Sequence, residues 1–310
     1  NQHDYKRYRI VNMKIVFFSE SQVIGKIPRD FSNARTEYAW MMALDATHIP
    51  LPNVGHFSTT DEHFDLGIVI IPKTNPNIDL DEIRKSCDKV AVMQEGPHWY
   101  FQDYSVTQQF HYYNLLRSAD WVYCHNESDV NYFIGLGCED VRVMRSLMIP
   151  EGLNPRTEKG SGTIIGGNFV SWYGGFDSFM VAMYLQDKIT APSMGRKQDE
   201  EKLIEEINYL PYLSWREWIV ELGKYNVGVH LMRTHAAGTF AMNCAFHGIP
   251  CIGYKGLDTQ ETLHPLTTVN IGDLESANDL AKKLKEDDFY WLCSQTAEKR
   301  FDDYYTERAW

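Results

Sequence analysis

Apolar residues along the chain fall into short unbroken runs, each closed by a polar or glycine-bearing turn. The first five occupy residues 14–18, 65–72, 89–93, 120–124 and 141–144. After a break the pattern restarts at 163–166 and continues at 188–191, 227–232, 249–252 and 268–271. Runs of this length without polar alternation fit strands buried on both faces, and they predict parallel sheets. Helical signals lie between them. Ser32 or Asn33 can cap a helix reaching about residue 48, residues 79–85 place acids first and bases last, and Gly137 closes a helix over 127–136. Further helices are predicted at 108–117, 176–185, 200–207, 215–222, 240–246 and 277–285, with an aromatic-rich helical segment from 288 to 310.

This alternation predicts an α/β fold of two doubly wound, Rossmann-like domains facing each other across a cleft. Residues 1–12 read as an extension or short edge strand, 13–150 as the first domain and 151–162 as a glycine-, proline- and charge-rich linker. Residues 163–290 form the second domain and 291–310 a final helix. Two similar halves with one linker favour a ligand between them.

Residues 227–254 concentrate the candidate chemistry. A strand runs into the turn Arg233-Thr234-His235, then into Gly238-Thr239 at the start of a helix that closes at Gly248, and a second strand follows. This is a βαβ unit, and the first free amides of its helix carry partial positive charge. The turn therefore suits an anion such as a diphosphate, although a helix that merely starts at Gly-Thr has the same sequence.

Composition narrows the class. At 310 residues the chain suffices for two domains, and no apolar run approaches the roughly 20 residues of a membrane span. Nothing at the start reads as a signal peptide. The six cysteines are scattered without a C-x-x-C pair, which predicts reduced core thiols in a cytoplasmic protein rather than disulfides or a zinc site. The net charge of −12 makes neither half a basic domain. That weighs against nucleic acid as a partner unless a local strip (Lys6, Arg7, Arg9, Lys26, Arg29, Arg35) lines one face.

The order of elements and several local motifs resemble GT-B glycosyltransferases of the retaining, Leloir type, which take sugars from nucleotide-sugar donors. Gly248-Ile249-Pro250-Cys251-Ile252 stands where they have a G-x-P-V-I strand, and Gly238-Thr239-Phe240 resembles their E-G-F-G turn. Ile164-Ile165-Gly166-Gly167 resembles the opening of their second domain, and residues 274–284 resemble the helix after its last strand. The tail through Tyr304-Tyr305 resembles the terminal helix that crosses back to the first domain, and Ala119-Asp120-Trp121-Val122 is similar to a first-domain strand. The resemblance spans residues 13–310. It implies a GT-B fold, a UDP- or GDP-linked sugar as substrate, and neither cofactor nor metal.

The departures fall in the donor site. Such enzymes usually carry two glutamates eight positions apart, and His235 and Asn243 stand at those places. Asn243 can hydrogen-bond a ribose hydroxyl, and His235 a sugar hydroxyl or phosphate. The Arg and Lys expected after the second domain's first strand are replaced by Asn168 and the Tyr173-Gly174-Gly175 turn. Arg196-Lys197, after the next strand, and Arg233 are the substitutes that would neutralise the diphosphate, beside Gly238, Thr239 and Phe240 at the helix start.

The resemblance assigns the acceptor to the first domain. Glu95 and His98, at a strand end beside Gly and Pro, are candidates for a base or for orienting the acceptor. The strand ends at Ser19-Glu20, Pro72-Lys73, Gln94-Glu95 and His125-Asn126 lie where a parallel sheet presents its carboxyl edge to the cleft. Gly25 matches the glycine loop that approaches donor and acceptor, Glu20, Lys26, Arg29 and His125 are candidate acceptor contacts, and Asn126 stands beside His125. Asp79-Leu80-Asp81 reads as a helix-opening acid pair rather than a metal motif. The aromatic residues from Trp99 to Tyr113 suit either a stacking surface or a core. The expected activity is transfer of a hexosyl or pentosyl group to an acceptor hydroxyl, on a glycan, a small molecule or a modified DNA base. A nucleotide-sugar 2-epimerase and a non-catalytic two-domain binding protein are the alternatives. Oligomeric state is left open.

Overall fold

The computed structural model describes residues 13–51, 62–73, 76–94, 96–167, 169–170, 172–192, 201 and 203–310. Two parallel sheets organise the chain. The first has the spatial order β2 (Gly25–Lys26), β3 (Thr47–Pro50), β1 (Ile15–Ser19), β4 (Phe64–Ile71), β5 (Cys87–Gln94), β6 (Trp121–Cys124) and β7 (Val141–Val143). Only β2 runs antiparallel to its neighbour. The second sheet orders β10 (Ile207–Tyr209), β9 (Ile189–Ala191), β8 (Thr163–Ile165), β11 (Val227–His230), β12 (Cys251–Tyr254) and β13 (Thr268–Val269), all parallel. Successive residues of the central strands are buried alike, as at Val16, Phe17 and Phe18, because helices cover both faces.

Three predicted elements are corrected. The helix expected to reach residue 48 is α1 (Glu37–Ala43), and Thr47–Pro50 instead pairs with β1. Asp45, at φ 49°, takes the left-handed conformation that ends the helix. The charged stretch expected as a helix over 200–207 leads instead into β10, where Ile207 pairs with Ile189 on β9. Residues 258–263, expected as loop, form α8 (Asp258–Leu263). Its pattern misleads because two of its buried residues are polar: Thr259 donates to the Gly238 carbonyl at 2.8 Å, and Gln260 Nε2 to the Cys251 carbonyl at 3.0 Å.

The halves share packing. The helices α6 (Trp215–Leu222) and α7 (Thr239–Phe246) send Trp215, Ile219, Met242 and Phe246 into the cluster that contains Phe17, Trp40 and Met93 of the first sheet's side. The long helix α10 (Asp287–Tyr304) adds Phe301, and Tyr305 follows it. The tail stays on the first half: the Met148 amide donates to the Tyr305 carbonyl at 3.4 Å and Trp310 Nε1 to the Arg145 carbonyl at 2.8 Å. The segment expected as a linker is pinned as well. Arg156 donates from its guanidinium to the carbonyls of Tyr225 (2.7 Å) and Gly248 (2.8 Å), and its amide donates to His247 Nδ1 at 3.0 Å. No described helix is long and apolar enough to cross a membrane.

Because Phe301 joins elements of both halves, Phe301→Ala should lower stability by about 3–5 kcal/mol. In calorimetry the transition should move down as one peak; a split into two peaks would show that the halves unfold separately.

Candidate functional site

The carboxyl ends of the central strands of the second sheet open onto a cleft of about 400 Å³. Its second-domain side carries Gly166 and Tyr173 after β8, residues 210–213 with Trp215 and Trp218 around α6, and Thr239, Phe240 and Asn243 of α7. Arg35 and Lys73 come from the first domain. Lys73 lies two residues beyond β4, so both sheets present strand ends here, the usual place for ligands in open parallel sheets.

Glycines make the second-domain wall possible. Gly238, at φ 65°, precedes α7 in the left-handed region, and a Cβ on it would lie 2.0 Å from Thr259 Oγ1. It offers no side chain to cap the helix, so the first amides of α7 keep their partial charge. A Cβ on Gly166 would lie 2.5 Å from the His230 ring, which packs edge-on to Phe240 with ring centres 5.2 Å apart. Burial holds His230 at about 4, so the imidazole is neutral at physiological pH. Asn243 is 3% exposed; with its amide assigned by hydrogen bonding, the oxygen accepts from Trp218 Nε1 and the nitrogen donates to the Thr239 carbonyl, both at 3.2 Å.

Beside the cleft, a polar seam joins the domains. At its centre is Asp129, on α4 (Glu127–Gly135) of the first domain and 3% exposed. Its Oδ1 accepts from His98 Nδ1 (3.1 Å) and from His235 Nδ1 (3.0 Å), one imidazole from each domain. Asn126, the residue preceding α4, donates to Asp129 Oδ2 at 3.2 Å and to the Ala236 carbonyl at 3.0 Å, while its own oxygen accepts from the Asp258 amide at 2.9 Å. Ser128 donates to the Gly256 carbonyl at 3.0 Å, and Ser146 to the Ala237 carbonyl at 2.5 Å. Burial opposes ionisation of Asp129, but hydrogen bonds from His235, His98 and Asn126 outweigh it and hold the carboxyl well below its usual range. The hydrogen bond to Asp129 raises the pKa of His235 against the opposing effect of burial.

The sequence candidates separate into three groups. Gly238, Thr239, Phe240 and Asn243 come together at α7, the last three lining the cleft. His98 and His235 meet at Asp129 rather than on the cleft wall, with ring centres 6.3 Å apart. Arg233 donates to Asp177 Oδ2 at 3.0 Å and shares that acceptor with Tyr254. Lys26 pairs with Asp45 at 2.5 Å, and Arg29 is held by Glu151 and Glu307 where the tail crosses the first domain. Gly25 opens β2 at φ 86°, and Glu20 is exposed just past β1. His125 is buried at the end of β6, stacked on Trp40 at 5.8 Å, with Nδ1 unpartnered among the described residues. Burial pushes its pKa down to about 4. Glu95, Asn168, Arg196 and Lys197 lie outside the described residues.

Sequence reasoning passed over Asp129 and Trp218; it placed Lys73 and Asn126 only as strand-end residues facing the cleft, and gave Arg35 only as part of a basic strip. An Asn-x-x-Asp at a helix start reads as ordinary capping, yet here Asn126 makes no cap and spends its amide across the seam. Trp218 carries no local signal at all, and Lys73 only its place past the end of a buried strand.

No family model and no curated protein sequence matches the chain. Solved structures do match. Sucrose-phosphate synthase (tll1590) from Thermosynechococcus elongatus superposes with a TM-score of 0.69 at 11% identity, covering 96% of each chain. Anabaena HepE (Alr3699) in complex with UDP gives 0.67 at 12% identity, again covering 96% of each. TarM gives 0.61 at 10% identity over 79% of this chain and 52% of its own. The fold is therefore that of the GT-B glycosyltransferases, two Rossmann-like domains with a terminal helix returning to the first.

Two outcomes follow from this geometry. Gly238→Ala forces a Cβ onto Thr259 in a left-handed turn and should cost at least about 1–3 kcal/mol, read as a lower melting temperature. Asp129→Asn removes a charge-assisted pair and should cost about 1–3 kcal/mol. The depressed Asp129 pKa contributes stability that is present above the ordinary carboxylate value and lost as pH falls through the folded value. The raised His235 pKa contributes below the ordinary imidazole value and is lost as pH rises through the folded one. The melting difference between wild type and Asp129→Asn should thus peak between about pH 4 and 6.5 and shrink on either side. A difference that stays level from pH 4 to 9 would contradict the pairing.

Proposed function

We propose that the protein is a metal-independent, retaining glycosyltransferase that binds a nucleotide-sugar in the cleft between its domains. The observation that carries this is the cleft itself. In a GT-B fold, the uncapped start of α7 meets Arg35 and Lys73 across about 400 Å³, and no carboxylate is among the described lining residues. Helix amides and cations together form a preorganised environment for a leaving diphosphate. Asn243, fixed between Trp218 and Thr239, keeps one N–H and one oxygen lone pair for a ribose or sugar hydroxyl. The acceptor hydroxyl approaches from the first domain, the side that Arg35 and Lys73 line. A glycan, a small molecule and a modified DNA base are the acceptor classes to test.

HepE has been solved with UDP-glucose, so that donor is the first to test. A thermal-shift panel of UDP- and GDP-linked sugars should find one that raises the melting temperature, since a ligand that binds only the native state stabilises it. With that donor, slow release of nucleotide in the presence of EDTA and retention of the anomeric configuration in the product are expected. Asn243→Ala should weaken donor binding roughly tenfold, the cost of one or two hydrogen bonds. Binding without any turnover across an acceptor panel would favour a non-catalytic binding protein, and no stabilisation by any nucleotide-sugar would remove the proposal.

A further inference from the structure

The cations in the described lining of the cleft have an unusual origin. The chain has 42 Asp and Glu against 30 Lys and Arg, yet the described lining holds two cations and no acid. Both cations belong to the first domain. The second-domain arginine nearest α7 in sequence, Arg233, is engaged by Asp177 and is not part of the lining. Taking the donor reading above as its basis, we infer that Arg35 and Lys73 form a phosphate-binding pair on the first-domain wall, facing the start of α7, so that a phosphate in the cleft is neutralised from across the domain boundary.

Local structure presents both side chains. Arg35 lies in the turn before α1, where its amide donates to the Asn33 carbonyl at 2.7 Å and its carbonyl accepts from the Tyr38 amide at 3.1 Å. Its side chain is exposed, and no carboxylate pairs with it among the described residues, whereas neighbouring Lys26 and Arg29 are each held by acids. Asn33 Oδ1 also accepts from the Trp215 amide at 3.0 Å, which fixes the Arg35 turn against the second-domain wall that Trp215 lines. Lys73 extends past Gly96, where a Cβ would lie 2.8 Å from Lys73 Cε. Gly96 has φ 85°, so the glycine both permits the turn and leaves space for the lysine stem. An arginine offers a planar fork and a lysine a compact point charge, a combination suited to a phosphate dianion held from two directions.

The phosphate could be the diphosphate of the donor or a phosphate on the acceptor. Titration calorimetry with UDP, uridine and glucose 6-phosphate separates the two. Arg35→Ala and Lys73→Ala should each weaken phosphate binding about tenfold, and the double variant by roughly a hundredfold, with uridine unaffected. Loss confined to UDP places the donor diphosphate on the pair, and loss confined to glucose 6-phosphate places the acceptor there. Raising the salt concentration should weaken binding to wild type more steeply than to the double variant, a readout that a merely structural change would not give. The exposed-surface control Lys282→Ala should bind like wild type. Wild type that binds UDP and a double variant that binds UDP and glucose 6-phosphate just as tightly would overturn the pair while leaving the donor reading intact. Wild type that binds glucose 6-phosphate through the pair but no nucleotide would leave the pair and remove the donor reading. Wild type that binds neither would overturn both.

Discussion

Met242 and Phe246 of α7, Trp215 and Ile219 of α6, and Phe301 and Tyr305 at the end of α10 are buried in the same apolar cluster as Phe17, Trp40 and Met93 of the first domain. The rest of the arrangement depends on that shared packing. Seven of the eight residues of α7 are buried, because one face packs on the second sheet and another on the first domain. The helix whose start lines the cleft is thereby anchored from both sides, and Asn243 sits next to the Met242 anchor. The proposed anion site needs donors that do not move when charge arrives, and the apolar packing around α7 is suited to supply that rigidity.

The polar seam at Asp129 adds direction to this packing. A hydrophobic core is tolerant of small slides, whereas a carboxylate accepting from one imidazole on each side fixes register. Asn126, Ser128 and Ser146 extend the seam to the backbone of residues 236–237 and 256, leading into the turn that ends at Gly238. The position usually held by an acid in related donor loops thus carries His235, and its partner is a first-domain carboxylate. In this chain the residue ties the domains together at the edge of the cleft.

Much of the fold could be read from the sequence because parallel strands covered on both faces must be continuously apolar. That constraint marks β1, β4, β5, β11 and β12 plainly. It fails where polar side chains are buried with their partners. The α8 helix hides Thr259 and Gln260 by bonding them to backbone carbonyls, and so looks like a loop. At the site, the α7 start was legible from Gly238-Thr239-Phe240, since local geometry decides it. Asp129 was not, because its role arises from a neighbour 106 residues away, His235. Arg29 looked like an acceptor contact, but only the tertiary fold brings Glu151 and Glu307 to it.

The central claim is that one ligand is held at once by the start of α7 and by the first-domain wall. Amide hydrogen exchange, followed with and without the nucleotide-sugar that most raises the melting temperature, tests this most directly. The account predicts slowed exchange at residues 239–243 together with the segments around Arg35 and Lys73. Protection limited to the second domain, with both first-domain segments unchanged, would contradict it.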